Sequence, residues 1–263
     1  MKHIFAVSAY RMSPYLRECL ISLKGQSEPS EVILCTSTPS DFLTELAGEF
    51  QIPLFIRQGT PSLWEDWNFC LEKAAELGAE LVTIAHQDDR YLPAYAKEIC
   101  REAESHPDSV LLFTACENIN AQGMKIPGTA ERVKRLLRLP LVFSGLFGEK
   151  KARTLCLAYG NSIPCPTCSY VLRNAGTKLF SPGYSFVIDW ETFRKLSEKE
   201  GGFRYLRKPL VQIRIHPESE TSRTMLDETR GREEREMLGK FHTQKAADRI
   251  MRYYRKAQTV YKS

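Results

Sequence analysis

The stretch LVTIAHQDDRYLP, residues 81–93, decides the fold. Its first five residues are apolar, with β-branched side chains at Val82, Thr83 and Ile84, which predicts a short strand buried on both faces, as in a parallel sheet covered by helices. Four polar residues follow directly: His86, Gln87, Asp88 and Asp89. In open α/β sheets ligands bind beyond the carboxyl ends of the strands, so this position is a candidate site. An alternative is that the two aspartates only open a turn and cap the next helix.

The segments on both sides of this stretch alternate between strand and helix patterns. Apolar runs predict strands at residues 3–7, 31–35, 54–58 and 109–114. Apolar residues at helical spacing lie between them, for example Trp64, Trp67 and Leu71 before a stop at Gly78. Residues 1–115 therefore predict repeated βα units and a doubly wound, mostly parallel sheet flanked by helices.

The alternation ends after Thr114. Residues 125–160 have a helical, basic pattern, CSYVLR predicts a strand and DWETFRKLSEKEGG predicts a helix that stops at glycine. FRYLRKPLVQIRIH contains two strand-like runs interrupted by Pro209. We expect this half to complete the sheet and to build the pocket of a second substrate.

Composition indicates an ordinary globular protein. Of the 263 residues, 43% are hydrophobic and 26% are charged, which excludes a disordered or membrane-spanning chain. No run approaches the roughly 20 apolar residues of a membrane helix, and the N-terminus turns polar too early for a signal peptide. These features predict a cytoplasmic protein.

The eight cysteines favour a reducing compartment over a disulfide scaffold. They are spread through apolar runs, as Cys35 is in VILC, where a free cysteine behaves as a small hydrophobic residue. Cys165 and Cys168, in CPTC, have the spacing of a redox or zinc motif, but no second CxxC accompanies them. We therefore interpret this pair as structural.

The net charge of +5 is concentrated in two segments. From Lys240 onward, basic residues surround an apolar stripe, which predicts an amphipathic tail helix; the stripe consists of Leu238, Phe241, Ile250, Met251 and Tyr254. Such a helix either packs its stripe on the domain or contacts an anionic membrane or an acidic substrate. A second basic stretch spans residues 130–154, and either covers an active site or touches a membrane.

The order of these signals resembles a glycosyltransferase of family two, with the GT-A fold. The motifs are FAVSAYRMSPYLRECLISLKGQSEPSEVILCTSTPSD, WNFCLEKA, HQDD, DW and HPESETS, and they cover residues 3 to about 222. The resemblance implies a GT-A domain at residues 1–222, a mostly parallel Rossmann-like sheet with a nucleotide-binding half, 1–115, and an acceptor half, 116–222. A basic helical extension, 223–263, follows.

In that family a DxD-type motif binds a divalent metal on the diphosphate of the donor. The matching residues here are His86, Gln87 and Asp88, so the resemblance assigns the metal to Asp88. His86 either coordinates Mn²⁺ or hydrogen-bonds the ribose or phosphate, and His216 completes the metal shell or contacts the phosphates. The implied cofactor is Mn²⁺ or Mg²⁺. A histidine that precedes a proline, as His216 does, is often only structural.

The resemblance also implies a nucleotide-binding set: Ser8, Tyr10, Arg11, Thr36, Asn68 and Gln87. Where relatives carry one or two aspartates after the second strand, this chain has Thr36, Ser37 and Thr38, whose hydroxyls are weaker acceptors from a base N–H. A UDP-sugar is the expected donor. The alternatives are a turn for the Ser/Thr run, a solvated surface residue for Arg11 and an exposed polar residue for Asn68.

Asp189 is the acid that the resemblance assigns as catalytic base. It would take the proton of the acceptor hydroxyl during an inverting transfer. Relatives often carry two acids here, and the first is Ile188 in this chain. Asp189 is also explained as a helix N-cap, and Glu191 is the fallback base.

These observations favour a metal-dependent inverting transfer of a sugar from a nucleotide-sugar to a saccharide or lipid-linked acceptor, in surface polysaccharide synthesis. One alternative is a sugar nucleotidyltransferase, but SAYRMSPYL lacks the Gly-rich phosphate loop of that class. Another is an inactive nucleotide-sugar binding module, since Thr36, His86 and Ile188 each replace an expected acid. Nucleic acid is not an expected partner, because the basic residues lack interleaved aromatic residues.

Overall fold

The strand predicted from residues 81–85 lies inside a nine-stranded sheet in the computed structural model, which describes residues 1–217 and 228–260. The strands are β1 (His3–Ala9), β2 (Glu31–Thr36), β3 (Leu54–Ile56), β4 (Leu81–His86), β5 (Arg90–Tyr91), β6 (Ser109–Ile119), β7 (Lys125–Ile126), β8 (Cys168–Val171) and β9 (Gly202–Arg214). Their order across the sheet is β3-β2-β1-β4-β8-β6-β9-β5, with β7 paired to β6.

Helices cover both faces of this sheet. They are α1 (Leu16–Lys24), α2 (Asp41–Glu49), α3 (Leu63–Glu76), α4 (Tyr95–Ser105), α5 (Thr129–Leu137), α6 (Leu139–Val142), α7 (Ser144–Phe147), α8 (Glu149–Ala158), α9 (Leu172–Ala175), α10 (Ile188–Glu198), α11 (Glu228–Gly239) and α12 (Gln244–Val260). A short 3₁₀ helix spans Cys165–Thr167.

The first half of the chain forms the parallel part of the sheet, as predicted. β3, β2, β1 and β4 are neighbours and all pair in parallel. Register places Ala9 of β1 beside Thr36 of β2, and Ser8 beside His86 of β4. The carboxyl ends of these strands therefore bring three of the predicted site residues to one edge.

The second half adds antiparallel strands, so the predicted α/β sheet is mixed rather than purely parallel. β8 runs antiparallel between β4 and β6, and β5 is antiparallel to β9, whereas β6 and β9 are parallel. The sheet is therefore mixed. An apolar run reports burial but not strand direction, so the pattern of CSYVLR could not reveal that β8 runs against its neighbours.

β9 is one continuous strand and not two. Its pairing with β6 changes register on both sides of the pair formed by Ala115 and Pro209. Proline has no N–H to donate to a ladder, and strands accommodate it at such irregular positions. The sequence signal at Pro209 therefore marks a bulge inside a strand.

The core consists of two clusters, one on each face of the sheet. Alternation along β1 sends Ile4 and Ala6 to one cluster and Phe5 and Val7 to the other. The first cluster also receives the apolar stripe predicted for the C-terminal tail: Leu238 and Met251 are buried there, and Phe241 and Ile250 pack against it. The stripe thus packs on the domain; the side chain of Tyr254, its last predicted member, lies outside the described side chains.

Within the part of the chain that the structure describes, no cluster of three or more metal-ligating side chains forms around the cysteines. No helix within residues 1–217 and 228–260 is long and apolar enough to cross a bilayer. All eight cysteines are free thiols, and Cys165 and Cys168 are buried. Burial raises the pKa of both thiols well above the ordinary value, which suits the structural role predicted for them.

Candidate active site

The turn after β1 and the turn after β4 are joined by one side chain. The amide of Gln87 accepts from the backbone N–H of Tyr10 at 3.0 Å and donates to the carbonyl oxygen of Tyr10 at 3.1 Å. Both turns lie at the carboxyl edge of the sheet because β1 and β4 are parallel neighbours. Two motifs that are about 75 residues apart in the chain are thereby fixed as one surface.

Asp88 and His216 meet at this surface. The Oδ2 atom of Asp88 lies 3.2 Å from Nε2 of His216, and its Oδ1 atom accepts from the hydroxyl of Ser13 at 2.5 Å. The ring of His216 packs against Tyr15, with 5.0 Å between centroids. The structure therefore brings together two of the residues expected to hold a metal. The rest of the HPESETS motif, residues 218–222, lies outside the described residues.

Arg214 at the end of β9 holds this arrangement in place. Its guanidinium donates to the carbonyl oxygens of Asp88, Asn120 and Ala121 at 2.9 to 3.0 Å, and it also contacts Glu18. The backbone N–H of Arg214 donates to Asp89 at 2.8 Å. Asp89 is buried, and burial raises its pKa to about 8. Asp89 thus bonds the turn to the end of β9 from a buried position, while the carboxylate of Asp88 faces the surface.

The alternative role of the two aspartates as helix caps is not what the structure shows. Helix α4 begins at Tyr95, and its cap residue, Ala94, has no side-chain hydrogen bond to the helix. The carboxylates of Asp88 and Asp89 are used instead on Ser13, His216 and Arg214.

His86 presents a neutral imidazole at the end of β4. Its ring stacks on Trp67, with 5.5 Å between centroids and 28° between planes. Burial lowers the pKa of His86 to about 4, so the ring is uncharged at neutral pH. Its Nε2 atom is buried and has no hydrogen-bond partner within the described residues. A buried unpaired imidazole nitrogen is available to a ligand.

The donor set fits a metal that is bound together with a diphosphate. No group of three or more His, Cys, Asp or Glu side chains is clustered for metal binding within residues 1–217 and 228–260. A cage made by the protein alone is therefore not present in that part of the chain. Mg²⁺ on a nucleotide needs only one or two carboxylates, because phosphate and water oxygens fill the other positions. The pair of Asp88 and His216 meets that requirement.

The end of β2 carries hydroxyl groups that fix the first turn. Thr38 accepts the backbone N–H of Arg11 at 2.6 Å, and its own N–H donates to the hydroxyl of Thr36 at 3.0 Å. Arg11 has a φ of 56°, in the left-handed region that non-glycine residues rarely adopt. Its guanidinium lies over the ring of Tyr10, 4.9 Å from the centroid. The hydrogen bond from the N–H of Arg11 to the hydroxyl of Thr38 stabilises this left-handed conformation.

A carboxylate reaches the end of β2 from helix α3. Asp66 accepts from the hydroxyl of Ser37 at 2.9 Å and from Nε of Arg57 at 2.7 Å. Relatives in the resembled family carry an aspartate in the β2 loop itself, and the sequence alone did not indicate a substitute. Asp66 lies in the first turn of α3, a common place for acids, so no local signal distinguished it.

The side chain of Asn68, predicted to contact the nucleotide, forms its hydrogen bonds with the backbone of Leu179 and Phe180. Its Oδ1 atom accepts the N–H groups of Leu179 and Phe180 at 2.9 and 3.0 Å, and its Nδ2 atom donates to the carbonyl oxygen of Phe180 at 2.8 Å. The side chain is buried. Asn68 therefore anchors the segment before α10 to α3, and we leave it out of the donor site.

Asp189 lies in the first turn of α10 and is held by two donors. Asn161 Nδ2 donates to its Oδ2 atom at 2.6 Å, and the N–H of Trp190 donates to Oδ1 at 2.8 Å. The helix begins at Ile188, with Val187 at the cap position, so Asp189 is not the N-cap. Burial raises the pKa of Asp189. A raised pKa brings a carboxylate closer to the range of a general base.

Two carboxylates of the site contribute to the raised pKa of one buried thiol, Cys165. Burial, and after it the charge of Asp189, raise the pKa of Cys165, and Asp89 adds a smaller contribution. The negative charges of both acids thus act on the same buried thiol.

Glu191, the fallback base, is occupied by cations. It pairs with Arg194 at 2.8 Å and with Lys240 at 3.1 Å. Burial favours its neutral form, but the hydrogen bonds from Arg194 and Lys240 outweigh burial and lower its pKa. A carboxylate with a lowered pKa and two cationic partners is a poor proton acceptor.

Solved structures resemble this architecture, whereas no protein-family model and no curated protein matches the sequence. The chain aligns over 95% of its length with 70% of S. aureus TarS 1-349 in complex with UDP-GlcNAc, at a TM-score of 0.62 and 19% identity. The chain has the GT-A fold. The mannosyltransferase PcManGT from Pyrobaculum calidifontis, in complex with GDP-Man and Mn²⁺, aligns with 91% of this chain over 63% of its own, at a TM-score of 0.60 and 15% identity. The fold predicted from the sequence is confirmed.

Proposed function

We propose that this protein is a glycosyltransferase that moves a sugar from a nucleotide-sugar to an acceptor hydroxyl, with a divalent metal on the diphosphate and inversion at C1. The contact of Asp88 with His216 at the carboxyl edge of the sheet carries the proposal. In this fold, solved structures hold UDP-GlcNAc in one case and GDP-Man with Mn²⁺ in another. An acid and an imidazole at the same edge suit that kind of ligand.

The donor site in this proposal lies between the ends of β1, β2 and β4. It comprises Ser8, Tyr10, Arg11, Thr36 and Gln87, and a UDP-sugar is the donor we favour. The hydroxyl groups after β2 and the nearby Asp66 supply hydrogen-bonding partners for a base. The left-handed Arg11 directs the turn after β1, and its guanidinium is the cation for a phosphate.

The metal in this proposal is Mn²⁺ or Mg²⁺, held by Asp88 and His216. His86, whose Nε2 atom has no hydrogen-bond partner within the described residues, hydrogen-bonds the ribose or phosphate of the donor. When bound, such an ion neutralises charge on the departing diphosphate. The protein contributes a fixed carboxylate, because Ser13 binds one oxygen of Asp88 and Arg214 binds its backbone.

Asp189 acts as the base in this proposal. The acceptor oxygen bonds to C1 of the sugar while the bond between C1 and the diphosphate oxygen breaks, and the hydroxyl proton passes to the carboxylate of Asp189. Asn161 and the N–H of Trp190 fix the carboxylate for that transfer. A positioned base of this kind contributes about 10²- to 10⁴-fold in rate.

The acceptor is a saccharide or lipid-linked hydroxyl in this proposal, and the setting is surface polysaccharide synthesis in the cytoplasm. The acceptor would bind on the side of α5 to α10, in residues 116–222, which carry Asp189. The described part of the basic C-terminal extension, residues 228–260, contains helices α11 and α12.

A thermal-shift panel of nucleoside diphosphates and nucleotide-sugars, with and without Mn²⁺ or Mg²⁺, tests the donor site. At a ligand concentration about 100-fold above Kd, mass action adds about 2.7 kcal/mol to the free energy of unfolding. We expect a rise in Tm that needs the metal and that is lost in Asp88→Asn. Asp41→Asn, an exposed acid in the first turn of α2, is the matched control and should keep the rise.

The results separate the proposal from its rivals. A metal-dependent shift with no turnover on any acceptor would favour an inactive nucleotide-sugar binding module. A shift that Asp88→Asn leaves intact would remove the assigned metal site. No shift with any nucleotide would overturn the donor site as a whole.

A further inference from the structure

The segment that follows the central sheet exposes apolar side chains instead of burying them. Helices α5, α6 and α7 follow one another with single-residue breaks at Arg138 and Phe143. Seven exposed apolar side chains recur along them, most of them three residues apart: Val133, Leu136, Leu139, Val142, Phe143, Leu146 and Phe147. Leu146 is 83% exposed and Leu136 is 65% exposed. Contiguous exposed apolar surface of this kind marks an interaction site.

Cations flank these apolar side chains. Arg132 and Arg135 lie on α5, and Lys150 and Lys151 lie on α8, all exposed. Glu149 is the one exposed carboxylate between residues 130 and 151, because Glu131 is buried. We call the seven apolar side chains and these four cations the basic apolar face.

The opposite side of the same segment is fixed by packing. Arg138 is fully buried, forms two hydrogen bonds of 2.8 Å with Glu131 and donates to the carbonyl oxygen of Ser162 at 2.6 Å. Ala152, Cys156 and Leu157 of α8 are also buried. The exposure of the basic apolar face is therefore a consequence of how the segment is anchored, with its polar pair inside and its apolar residues outside.

We propose that the basic apolar face docks on a lipid bilayer that contains anionic lipid. Helices that lie in the plane of a membrane interface combine Leu and Phe, which enter the acyl boundary, with Lys and Arg, which attract anionic headgroups. Leu146 and Phe147, at the end of α7 before Gly148, are the insertion point. A two-fold contact with a second copy would place the same cations against each other, which disfavours that occupant.

The basic apolar face is connected to the part of the candidate site that contains Asp189. The charge of Lys134 on α5 lowers the pKa of Asp189. Arg138 binds the carbonyl oxygen of Ser162, and the preceding residue, Asn161, donates to Asp189. If the proposed glycosyl transfer is correct, docking through this face brings the site to an acceptor carried by lipid.

Vesicle flotation of the full chain tests the docking without donor or acceptor. Vesicles of phosphatidylcholine alone are compared with vesicles that contain about 30 mol% phosphatidylglycerol, at about 0.1 M salt. We expect binding only to the anionic vesicles. Leu146→Ser with Phe147→Ser should reduce the partition coefficient about ten-fold or more. Lys150→Gln with Lys151→Gln should reduce it about five-fold for each cation removed.

Matched controls lie elsewhere on the surface. Ile21→Ser removes an apolar side chain that is 57% exposed on α1, and Lys24→Gln with Lys178→Gln removes the same charge as the lysine pair. Both controls should bind as the unchanged protein does. Circular dichroism confirms that each variant is folded.

Three outcomes would overturn the proposal. One is the absence of binding to anionic vesicles; another is an equal loss in the control variants. The third is a dimer in sedimentation that dissociates in Leu146→Ser with Phe147→Ser, which would make the face a contact between copies. Vesicle binding is read without any sugar transfer, so its failure and the failure of the proposed function are distinguishable.

Discussion

At the scale of single residues, the pKa of Asp189 results from influences that act in opposite directions. Burial raises its pKa, whereas the N–H of Trp190, the charge of Lys134 and the amide of Asn161 lower it. Asn161 is also unusual because its Oδ1 atom is buried without a hydrogen-bond partner in the described residues, while its Nδ2 atom is committed to Asp189. That asymmetry suits a residue that orients a carboxylate, and we infer that Asn161 positions the proposed base.

Asn161→Ala should change the pH dependence of turnover. The base must be ionised to accept a proton, so the rate falls as the pH falls through the pKa of Asp189. Removal of a donor to the ionised form raises that pKa further, and the acid limb of the kcat/KM profile should move to higher pH by about one unit. Initial rates measured from about pH 5 to about pH 9 would show the shift, with nucleotide binding unchanged.

The control for this variant is Asn174→Ala, because the amide of Asn174 donates to the carbonyl oxygens of Pro107 and Ser109, away from Asp189. The acid limb of its kcat/KM profile should stay in place.

Asp189→Asn should bind nucleotide and lose turnover. Full turnover by a folded Asp189→Asn protein would show that another group takes the proton.

The sequence anticipated some residue contacts and missed others, for a physical reason. Asp88 was identifiable because it follows a buried strand, and His216 because it follows the last one. Asp66 and Asn161 were not, since each acts through a partner on a different element, Ser37 in one case and Asp189 in the other. Local pattern does not encode which remote side chain a helix brings near.

At the scale of elements, the strands were easier to predict than their directions. Apolar runs located β1, β2 and β4, and their parallel pairing followed from the helices between them. β8 has no such helix directly before it, since the chain enters it from the 3₁₀ helix, and it runs antiparallel to both neighbours. The loss of alternation after Thr114 was visible, but the mixed sheet that it produces was not.

The loop before α10 is held by a helix from the C-terminal extension. Glu233 of α11 is buried and accepts the N–H groups of Ser185, Phe186 and Val187 at 2.7 to 3.2 Å. These N–H groups immediately precede the first turn of α10, which carries Asp189. A carboxylate at this end of a helix also complements its dipole. The extension therefore supports the proposed acceptor side of the site.

Glu233→Ala should lower both stability and turnover. It leaves three N–H groups without their acceptor, and we expect the free energy of unfolding to fall by about 2–4 kcal/mol. kcat should fall because the first turn of α10, which carries Asp189, shifts. The Kd for the nucleotide should stay unchanged. Urea denaturation and steady-state kinetics measure the two effects. Glu228→Ala, an exposed acid at the start of α11, is the control, with a loss of at most about 1 kcal/mol.

At the scale of the whole molecule, the two halves inferred from the resemblance share one sheet. β8, from the second half, lies between β4 and β6 of the first, and β9 lies between β6 and β5. The apolar residues of α11 and α12 enter the same core cluster as Ile4 and Ala6 of β1. The divisions at residues 115 and 222 therefore describe roles in the proposed function.

This continuity predicts that the chain unfolds as one unit, extension included. Leu238 of α11 is fully buried in the first core cluster, so Leu238→Ala should cost about 2–5 kcal/mol through lost burial and a cavity. Far-UV circular dichroism reports the helices, and fluorescence reports the core through Trp67 and Trp190. Both transitions in urea should coincide and move together in the variant, because coincident probes are the signature of a cooperative unit. Ile21→Ala, at an exposed position on α1, should shift neither by more than about 0.5 kcal/mol. An early loss of ellipticity in Leu238→Ala, with the fluorescence transition unmoved, would instead show that α11 and α12 unfold independently and that the extension is a separate domain.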